Sequence, residues 1–281
     1  MRVEDAMAAR SGAESVQTSA VLLKVDGLRK AFAGPPRVEV LANVSFSVRE
    51  GEFVSVVGPS GCGKTTLLLA LAGLQPGDAG SVEFAGAGVR DRTPEGMAIV
   101  FQDYSRSLLP WKTNLGNVLF GMHRFKGQSS AEKTEQAMAL LESVGLAGFE
   151  RHYPWQLSGG MQQRVAIARG LASKSRLLLL DEPLASVDAQ TRADLQDLLL
   201  RIASRYGQTC VLVTHDVEEA TYMGDRIVVL SKRPTSVARE IVVELPRPRD
   251  QIETREKPRF LEIRHEVLSY IRRERGAGAA S

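Results

Sequence analysis

Cysteine and long apolar runs are both scarce in this chain. Only two of its 281 residues are cysteines, Cys62 and Cys210, so a disulfide framework is excluded and a reducing compartment is indicated. The longest apolar runs, LLLALAGL (67–74) and LLLL (177–180), are far shorter than the ~20 residues that a membrane span needs. Residues 1–20 lack the apolar segment of a secretory signal, and their small, polar composition predicts a disordered lead.

A large excess of charge of one sign is also lacking. The chain has 36 Lys and Arg against 33 Asp and Glu, a formal net charge of +3. Residues 247–281 contain nine basic and six acidic side chains, so their excess of +3 equals that of the whole chain. The rest is balanced, which argues against nucleic acid as a partner. We expect residues 246–281 to form a charged, helical and solvated tail; contact with anionic lipid is the weaker alternative.

Strand-like and helix-like apolar patterns alternate along the chain. Core strands are predicted at 53–58, 177–181, 210–215 and 225–231, short strands at 81–86 and 97–102, and edge strands at 21–32 and 40–48. Helices are predicted at 64–74, 189–207 and 217–224, with a helical insert at about 103–172. This order predicts a doubly wound α/β core in a domain spanning 21–245.

The segment GPSGCGKTT (58–66) matches G-x-x-x-x-G-K-[ST] between a predicted strand and a predicted helix. Its glycines let backbone N–H groups face phosphates, Lys64 supplies a charge for the β- and γ-phosphates, and the Thr65 hydroxyl suits Mg²⁺. The alternative, a glycine-rich turn that binds nothing, is disfavoured by the flanking elements. The predicted nucleotide-binding residues of this loop are Gly58, Pro59, Ser60, Gly61, Cys62, Gly63, Lys64, Thr65 and Thr66.

Two acids end the apolar strand in LLLLDEP (177–183). Ligands of open α/β sheets bind at the carboxyl ends of the strands, where Asp181 and Glu182 emerge. Asp181 suits Mg²⁺, and Glu182 suits a general base for the attacking water. The alternative is a pair of solvated acids. It is less favoured because the phosphate-binding loop at 58–66, the P-loop, is also predicted.

Two more polar residues, His215 and Gln102, end other predicted strands. Beside a phosphate site His215 would contact the γ-phosphate and orient the water, and a satisfied structural histidine is the alternative. Gln102 would reach the metal and the water and swing with the helical insert. Its alternative role is a helix cap.

A second helix start lies in LSGGMQQR (157–164), with Ser158, Gly159 and Gly160 at its beginning. The free N–H groups of a helix start bind anions. No lysine or arginine stands among these glycines, so the sequence shows an anion site without its own cation.

Together these motifs resemble the nucleotide-binding subunit of an ATP-binding cassette (ABC) transporter over residues 21–245. The resemblance implies a P-loop NTPase with a RecA-like core, an antiparallel β edge and a helical signature subdomain. It implies an ATPase using Mg²⁺, and a dimer in which the signature at Ser158 closes on nucleotide held by the partner's Lys64. Asp188 in LASVDA (184–189) is similar to the family's D-loop residue, although Ala185-Ser186-Val187 replaces the usual Ser-Ala-Leu. Phe32 resembles the aromatic that stacks on adenine, with a core phenylalanine as the alternative.

The resemblance also implies partners. A cassette without a membrane span needs separate permease subunits, and the loop in YSRSLLPWKTNLGNV (104–118) is expected to expose Leu108, Leu109, Pro110 and Trp111 to them. The alternative places Trp111 inside the insert's own core.

Motifs such as LLPW, DAQTR (188–192) and ELPRPRD (244–250) look most like those of importers of nitrate, sulfonate or taurine. Such a cassette would work with a periplasmic solute-binding protein, at the cytoplasmic face of a bacterial inner membrane.

Other kinds of ABC protein remain as alternatives. A soluble ATPase of a cytosolic assembly system, such as iron–sulfur cluster biogenesis, would use the same nucleotide site and differ only in its partner. A nucleic-acid-associated ABC protein is remote, because the chain has one cassette and no basic stripe.

The sequence also suggests the environments of Cys62, Cys210 and Trp155. The helix start and Lys64 would lower the pKa of Cys62, although a tolerated small residue is the simpler interpretation. Cys210 begins an apolar strand and is expected in the core. Trp155, just before the signature, is expected to be packed.

Overall fold

In a computed structural model, residues 19–103, 107–123, 127–185 and 187–276 are described. They form two sheets. The first is antiparallel, in the order β2-β1-β4-β5, and consists of β1 (Val21–Phe32), β2 (Val38–Arg49), β4 (Ala79–Phe84) and β5 (Ala87–Gly88). The second has the order β10-β9-β3-β8-β7-β6 and consists of β3 (Phe53–Val57), β6 (Met97–Val100), β7 (Leu177–Asp181), β8 (Thr209–Val213), β9 (Arg226–Leu230) and β10 (Val237–Val242).

The helices of the described residues surround the larger sheet. They are α1 (Lys64–Leu71), α2 (Asn114–Gly121), α3 (Ser130–Ser143), α4 (Gly159–Ala172), α5 (Ala189–Tyr206), α6 (Val217–Met223), α7 (Glu253–Glu256) and α8 (Pro258–Gly276), with a 3₁₀ turn at Pro154–Gln156. No helix in these ranges is long and apolar enough to cross a bilayer. The predicted α/β fold is confirmed, while the predicted N-terminal lead lies almost entirely outside the described residues.

Both faces of the larger sheet are covered, which explains the uninterrupted apolar strands in the sequence. All five residues are buried in each of the strands β3, β7, β8 and β9. Alternate residues of one strand face different cores: Leu177 and Leu179 pack with α1 and the antiparallel sheet, whereas Leu178 and Leu180 pack with the helices opposite. The parallel pairing of β3 with β8 and β9 brings the carboxyl ends of these strands to one edge.

The segment between β6 and β7 is helical because local caps and apolar spacing favour it. Thr113 caps α2 by accepting from the Gly116 N–H, and Ser129 and Glu132 form a capping box at α3. Apolar residues of α2, α3 and α4 then join the same core as β7 and β8. The insert therefore rests on the parallel sheet rather than forming a separate core.

The C-terminal tail differs from the prediction. Residues 253–256 and 258–276 are helical, as expected, but α8 is docked rather than solvated: Phe260, Ile263 and Val267 are buried in the main core. Arg255 and Arg264 both pair with the Glu218 carboxylate on α6. The expectation of a solvated tail is wrong, because an apolar stripe among the charges gives α8 a packing face. The strand β10, which pairs antiparallel with β9, was also not predicted.

Candidate functional site

The loop between β3 and α1 has the backbone shape that its glycines allow. Gly61 and Gly63 have φ values of +74° and +114°, which strain other residues. A Cβ at Gly63 would meet Val40 Cγ1 at 2.5 Å, so there is no room for a side chain. The loop thus leads into the start of α1, and the N–H groups of a helix start suit a phosphate.

Lys64 opens α1 and lies beneath this loop. Its ammonium is buried and donates to the Gly58 and Pro59 carbonyl oxygens, each at 3.1 Å. It also lowers the pKa of Asp181 through space, although other causes outweigh it. The helix start and this ammonium together make the loop electropositive.

Asp181, the last residue of β7, is adjacent to the P-loop. The Thr65 hydroxyl donates to Asp181 Oδ1 at 3.3 Å. Burial, followed by repulsion from Glu182, raises the pKa of Asp181 above its usual value. Two neighbouring carboxyl groups at one strand end, beside a hydroxyl, form a set of hard oxygen donors that a divalent cation would stabilise.

Glu182 is held in an unusual conformation. Its φ is +42°, in the left-handed region, and its N–H donates to the Val213 carbonyl oxygen at 2.8 Å. Its Oε2 lies 2.9 Å from Nδ1 of His215, which is the more exposed of the two side chains. Strained backbone is often found where a side chain must be aimed, and here it aims the carboxylate at His215 from the neighbouring strand.

Most of these groups line one cleft of about 410 Å³, and Asp181 lies behind its lining, bonded to Thr65. Its lining is Ser60, Gly61, Gly63, Lys64, Thr65, Thr66, Glu182, His215 and Arg233. Eight of these nine are residues that the sequence singled out. The ninth, Arg233, was missed because it follows β9, far along the chain, in a segment with no recognisable motif.

Of the predicted residues near the P-loop, Gly58, Pro59, Cys62 and Asp181 do not line the cleft themselves, and two others, Gln102 and Phe32, lie apart from it. Gln102 is exposed just after β6 and does not line it. Phe32, at the end of β1, is 36% exposed, with the Lys30 ammonium 6.0 Å from its ring centroid. The core alternative for Phe32 is therefore wrong.

The signature residues form a second surface. Ser158 caps α4, its hydroxyl accepting from the Met161 N–H at 3.4 Å. Ser158 and Gly159 are exposed, and a Cβ on Gly160 would meet Thr191 Cγ2 at 2.6 Å. Asp188 caps α5 by accepting from the Thr191 N–H and hydroxyl, at 3.0 and 2.7 Å. The signature helix and the start of α5 are thus packed together, and neither lines the P-loop cleft.

Some expectations about individual side chains are wrong. Leu108 is buried, at 2% exposure, whereas Trp111 is 71% exposed, so the alternative of a core Trp111 fails. Trp155 is 69% exposed instead of packed, and its ring stacks on Tyr153. Burial raises the pKa of Cys62, and the opposing effect of Lys64 is smaller.

Cys210 is buried, as predicted, and burial raises its pKa to about 12. Residues 104–106 of the segment YSRSLLPWKTNLGNV and residue 186 of the LASVDA segment lie outside the described residues.

A mainly parallel sheet with a P-loop after β3 and two acids at the end of β7 defines a P-loop nucleoside-triphosphate-binding protein. The ABC transporter family model matches residues 41–185. An uncharacterized ABC transporter ATP-binding protein of Methanocaldococcus jannaschii is 46% identical over 255 residues, which cover 90% of this chain and 92% of the relative. The chain belongs to the ABC transporter family, as an ATP-binding cassette that hydrolyses ATP.

Other relatives have names that include a solute. An aliphatic sulfonates import ATP-binding protein of Pseudomonas syringae is 44% identical over 249 residues, covering 89% of this chain and 97% of the relative. A nitrate import ATP-binding protein of Synechococcus elongatus is 41% identical over 263 residues, covering 92% of this chain but 39% of that longer relative.

Solved structures agree with the fold. A dimeric structure of a bacterial ABC transporter cassette matches with a TM-score of 0.71 and 34% identity, covering 79% of this chain and 99% of that chain. The same cassette in a post-hydrolysis state bound to ADP and phosphate matches with a TM-score of 0.70, 34% identity and the same coverage.

Proposed function

We propose that this cassette hydrolyses ATP at the P-loop cleft, with Glu182 as the general base for the attacking water. The observation that carries this assignment is the Glu182 carboxylate, aimed by a positive φ into the lysine-lined cleft. His215, 2.9 Å from Glu182, would orient the water and contact the γ-phosphate. The loop N–H groups and Lys64 would hold the phosphates, and Phe32 would stack on adenine at the exposed end of β1.

We infer that Mg²⁺ accompanies ATP in this cleft. Thr65 and Asp181 would hold it, because the Thr65 hydroxyl lies 3.3 Å from Asp181 Oδ1 and both oxygens are hard donors that suit Mg²⁺. When bound, the ion would neutralise charge on the β- and γ-phosphates. Gln102 would join only if the segment after β6 moved toward the cleft, since Gln102 does not line it here.

The exposed signature supports a dimer in which each copy completes the partner's site. Ser158 and Gly159 present a helix start to solvent, with no cation among them and no contact with their own cleft. A phosphate held by the partner's Lys64 would meet this helix start, which carries about half a positive charge. Asp188 would lie at the same interface, because Thr191 links it to the signature helix. ATP would therefore favour closure, and hydrolysis would favour opening.

Substituting Glu182→Gln tests the base and the dimer together. We expect ATP hydrolysis to fall by about 100-fold or more, while ATP and Mg²⁺ convert the variant into a stable dimer. Light scattering measures the mass, and a nucleotide titration establishes that ATP is bound. A variant that binds ATP yet stays monomeric would contradict the dimer, and a variant with full activity would contradict the base.

We further propose that the cassette powers import of a small anion such as nitrate, a sulfonate or taurine. The names of the sulfonate and nitrate relatives support this class of solute. Permease subunits would dock on the insert near Trp111, whose exposed indole lies just before α2. The cassette would then be peripheral on the cytoplasmic membrane face, and a periplasmic solute-binding protein would complete the system.

Purification of the tagged chain from detergent-solubilised membranes tests this assignment. Mass spectrometry is expected to find a multispan permease, and solute added to the reconstituted complex with its binding protein should stimulate ATP hydrolysis. A panel of nitrate, taurine, an alkanesulfonate and an amino acid separates small anions from other solutes. Recovery of soluble partners alone would overturn the importer and favour a cytosolic assembly ATPase, leaving the nucleotide site intact.

A further inference from the structure

The turn between β9 and β10 brings a cation to the P-loop cleft. Arg233 lies in this turn and lines the cleft together with Ser60, Gly61 and Lys64. The remaining cleft residues follow β3, β7 or β8, whereas Arg233 follows β9. The cleft therefore has two basic side chains, one from the P-loop and one from outside every motif of the sequence.

The turn is hydrogen-bonded to the P-loop and to β2. The buried Thr235 hydroxyl donates to the Cys62 carbonyl oxygen within the loop. The Thr235 N–H donates to the Val40 carbonyl oxygen at 2.9 Å, and its own carbonyl oxygen accepts from the Ala42 N–H at 2.7 Å. These three bonds hold the residue two positions after Arg233 against both the loop and β2.

A second set of bonds closes the turn before Arg233. The Ser231 N–H donates to the Ser236 carbonyl oxygen at 3.0 Å, and the Ser236 N–H donates to Ser231 Oγ at 2.9 Å. Arg233 thus lies between two anchored positions. The backbone that carries its guanidinium is fixed in space beside the phosphate loop, so less freedom is lost when the side chain binds a ligand.

Arg233 forms no ion pair within the described part of the chain, unlike other arginines near it. Arg226, on the preceding strand, pairs with Glu52 and Glu240, and Arg249 pairs with Asp225. Arg233 is exposed, and no carboxylate of the described residues forms an ion pair with it. Its charge still acts on the loop: burial raises the pKa of the Cys62 thiol, and Arg233, like Lys64, lowers it by a smaller amount.

We propose that Arg233 binds a phosphate oxygen of the nucleotide held in this cleft. A planar guanidinium with several donors matches a phosphate in shape and charge, and an exposed cation without an acidic partner loses no existing ion pair on binding. Arg233 is a binding residue of this site and not a catalytic one. The inference rests on the cassette's binding of ATP and is independent of the solute and of the permease.

Nucleotide titrations of the full chain test this contact. Dissociation constants for ADP and a non-hydrolysable ATP analogue, both with Mg²⁺, are compared for the native chain, Arg233→Gln and Arg233→Lys. We expect Arg233→Gln to bind about tenfold more weakly, equivalent to ~1.4 kcal/mol. Arg233→Lys keeps the charge but lacks the planar guanidinium, so its affinity should lie between those of the native chain and Arg233→Gln. The affinity of Arg233→Gln should also depend less steeply on salt concentration.

Lys232→Gln is the matched control, because Lys232 is an exposed cation in the same turn that does not line the cleft. A loss in Lys232→Gln as large as that in Arg233→Gln would indicate a general field and overturn the direct contact. Unchanged affinity in Arg233→Gln would overturn it as well. If Arg233→Gln fails to fold, as judged by circular dichroism, Arg233→Lys decides: native affinity and an unchanged salt dependence would reject the contact.

Discussion

Glu219 offers a test of how burial controls the stability of this fold. Its side chain is 4% exposed, and the Thr214 hydroxyl donates to Oε2 at 2.5 Å, while the buried Oε1 has no hydrogen-bond partner among the described residues. Burial raises the pKa of Glu219 from 4.5 to about 7, and repulsion from Asp216 adds to the effect. The ionised form is thus disfavoured in the folded protein.

The sign and size of the effect follow from linkage. A carboxyl with a raised pKa in the folded state binds more protons there than in the unfolded state, so the protein loses stability as the pH rises through this interval. The interval from 4.5 to about 7 corresponds to ~3 kcal/mol at about 1.4 kcal/mol per pH unit. Between about pH 5.5 and about pH 8, the loss from Glu219 alone is ~2 kcal/mol.

Substituting Glu219→Gln removes this titration while keeping the size of the side chain. Urea unfolding at about pH 5.5 and about pH 8 measures the change in the free energy of unfolding for both proteins. The native chain should lose ~2 kcal/mol more than the variant across this range. Glu135→Gln, at an exposed position on α3, is the control and should follow the native chain. Equal losses in the native chain and Glu219→Gln would refute this account of the buried carboxyl.

The other predictions concern packing, thiol reactivity and docking. Phe260→Ala should lower the free energy of unfolding by ~3–5 kcal/mol, because it empties the α8 contact with the core; Leu261→Ala, on the exposed side, should cost less than ~0.5 kcal/mol in the same urea titration. Equal costs would mean that α8 is not docked. In the native protein Cys62 and Cys210 should resist a maleimide, because both are buried and have raised pKa values; fast labelling of Cys62 with retained circular dichroism would contradict this. Trp111→Ala should leave stability within ~0.5 kcal/mol but abolish copurification of a permease, and unchanged copurification would reject docking at this loop.

Residues close together in the chain could be identified from the sequence. The P-loop requires glycines, a lysine and a hydroxyl within one turn, and the acids must follow an apolar strand, so chain order alone predicts both. The same holds for the signature, whose helix start needs only a cap and small residues. Strands buried on both faces also have a recognisable pattern, and for that reason the positions of the core strands along the chain were predicted.

Only the tertiary structure decides which distant segments meet. Arg233 lies at the P-loop because Thr235 bonds to Cys62, a contact between distant parts of the chain that no local pattern encodes. The helix α8 is docked because Phe260 packs in the main core, which is formed by distant segments. Composition does not reveal this contact, so composition alone predicted a solvated tail. Trp155 was expected to be packed because it is large and apolar, yet hydrophobicity does not specify which side of a short turn faces the core. The spacing of residues along the chain thus determined the chemistry of each motif. Packing between distant segments determined which other residues lie beside each motif.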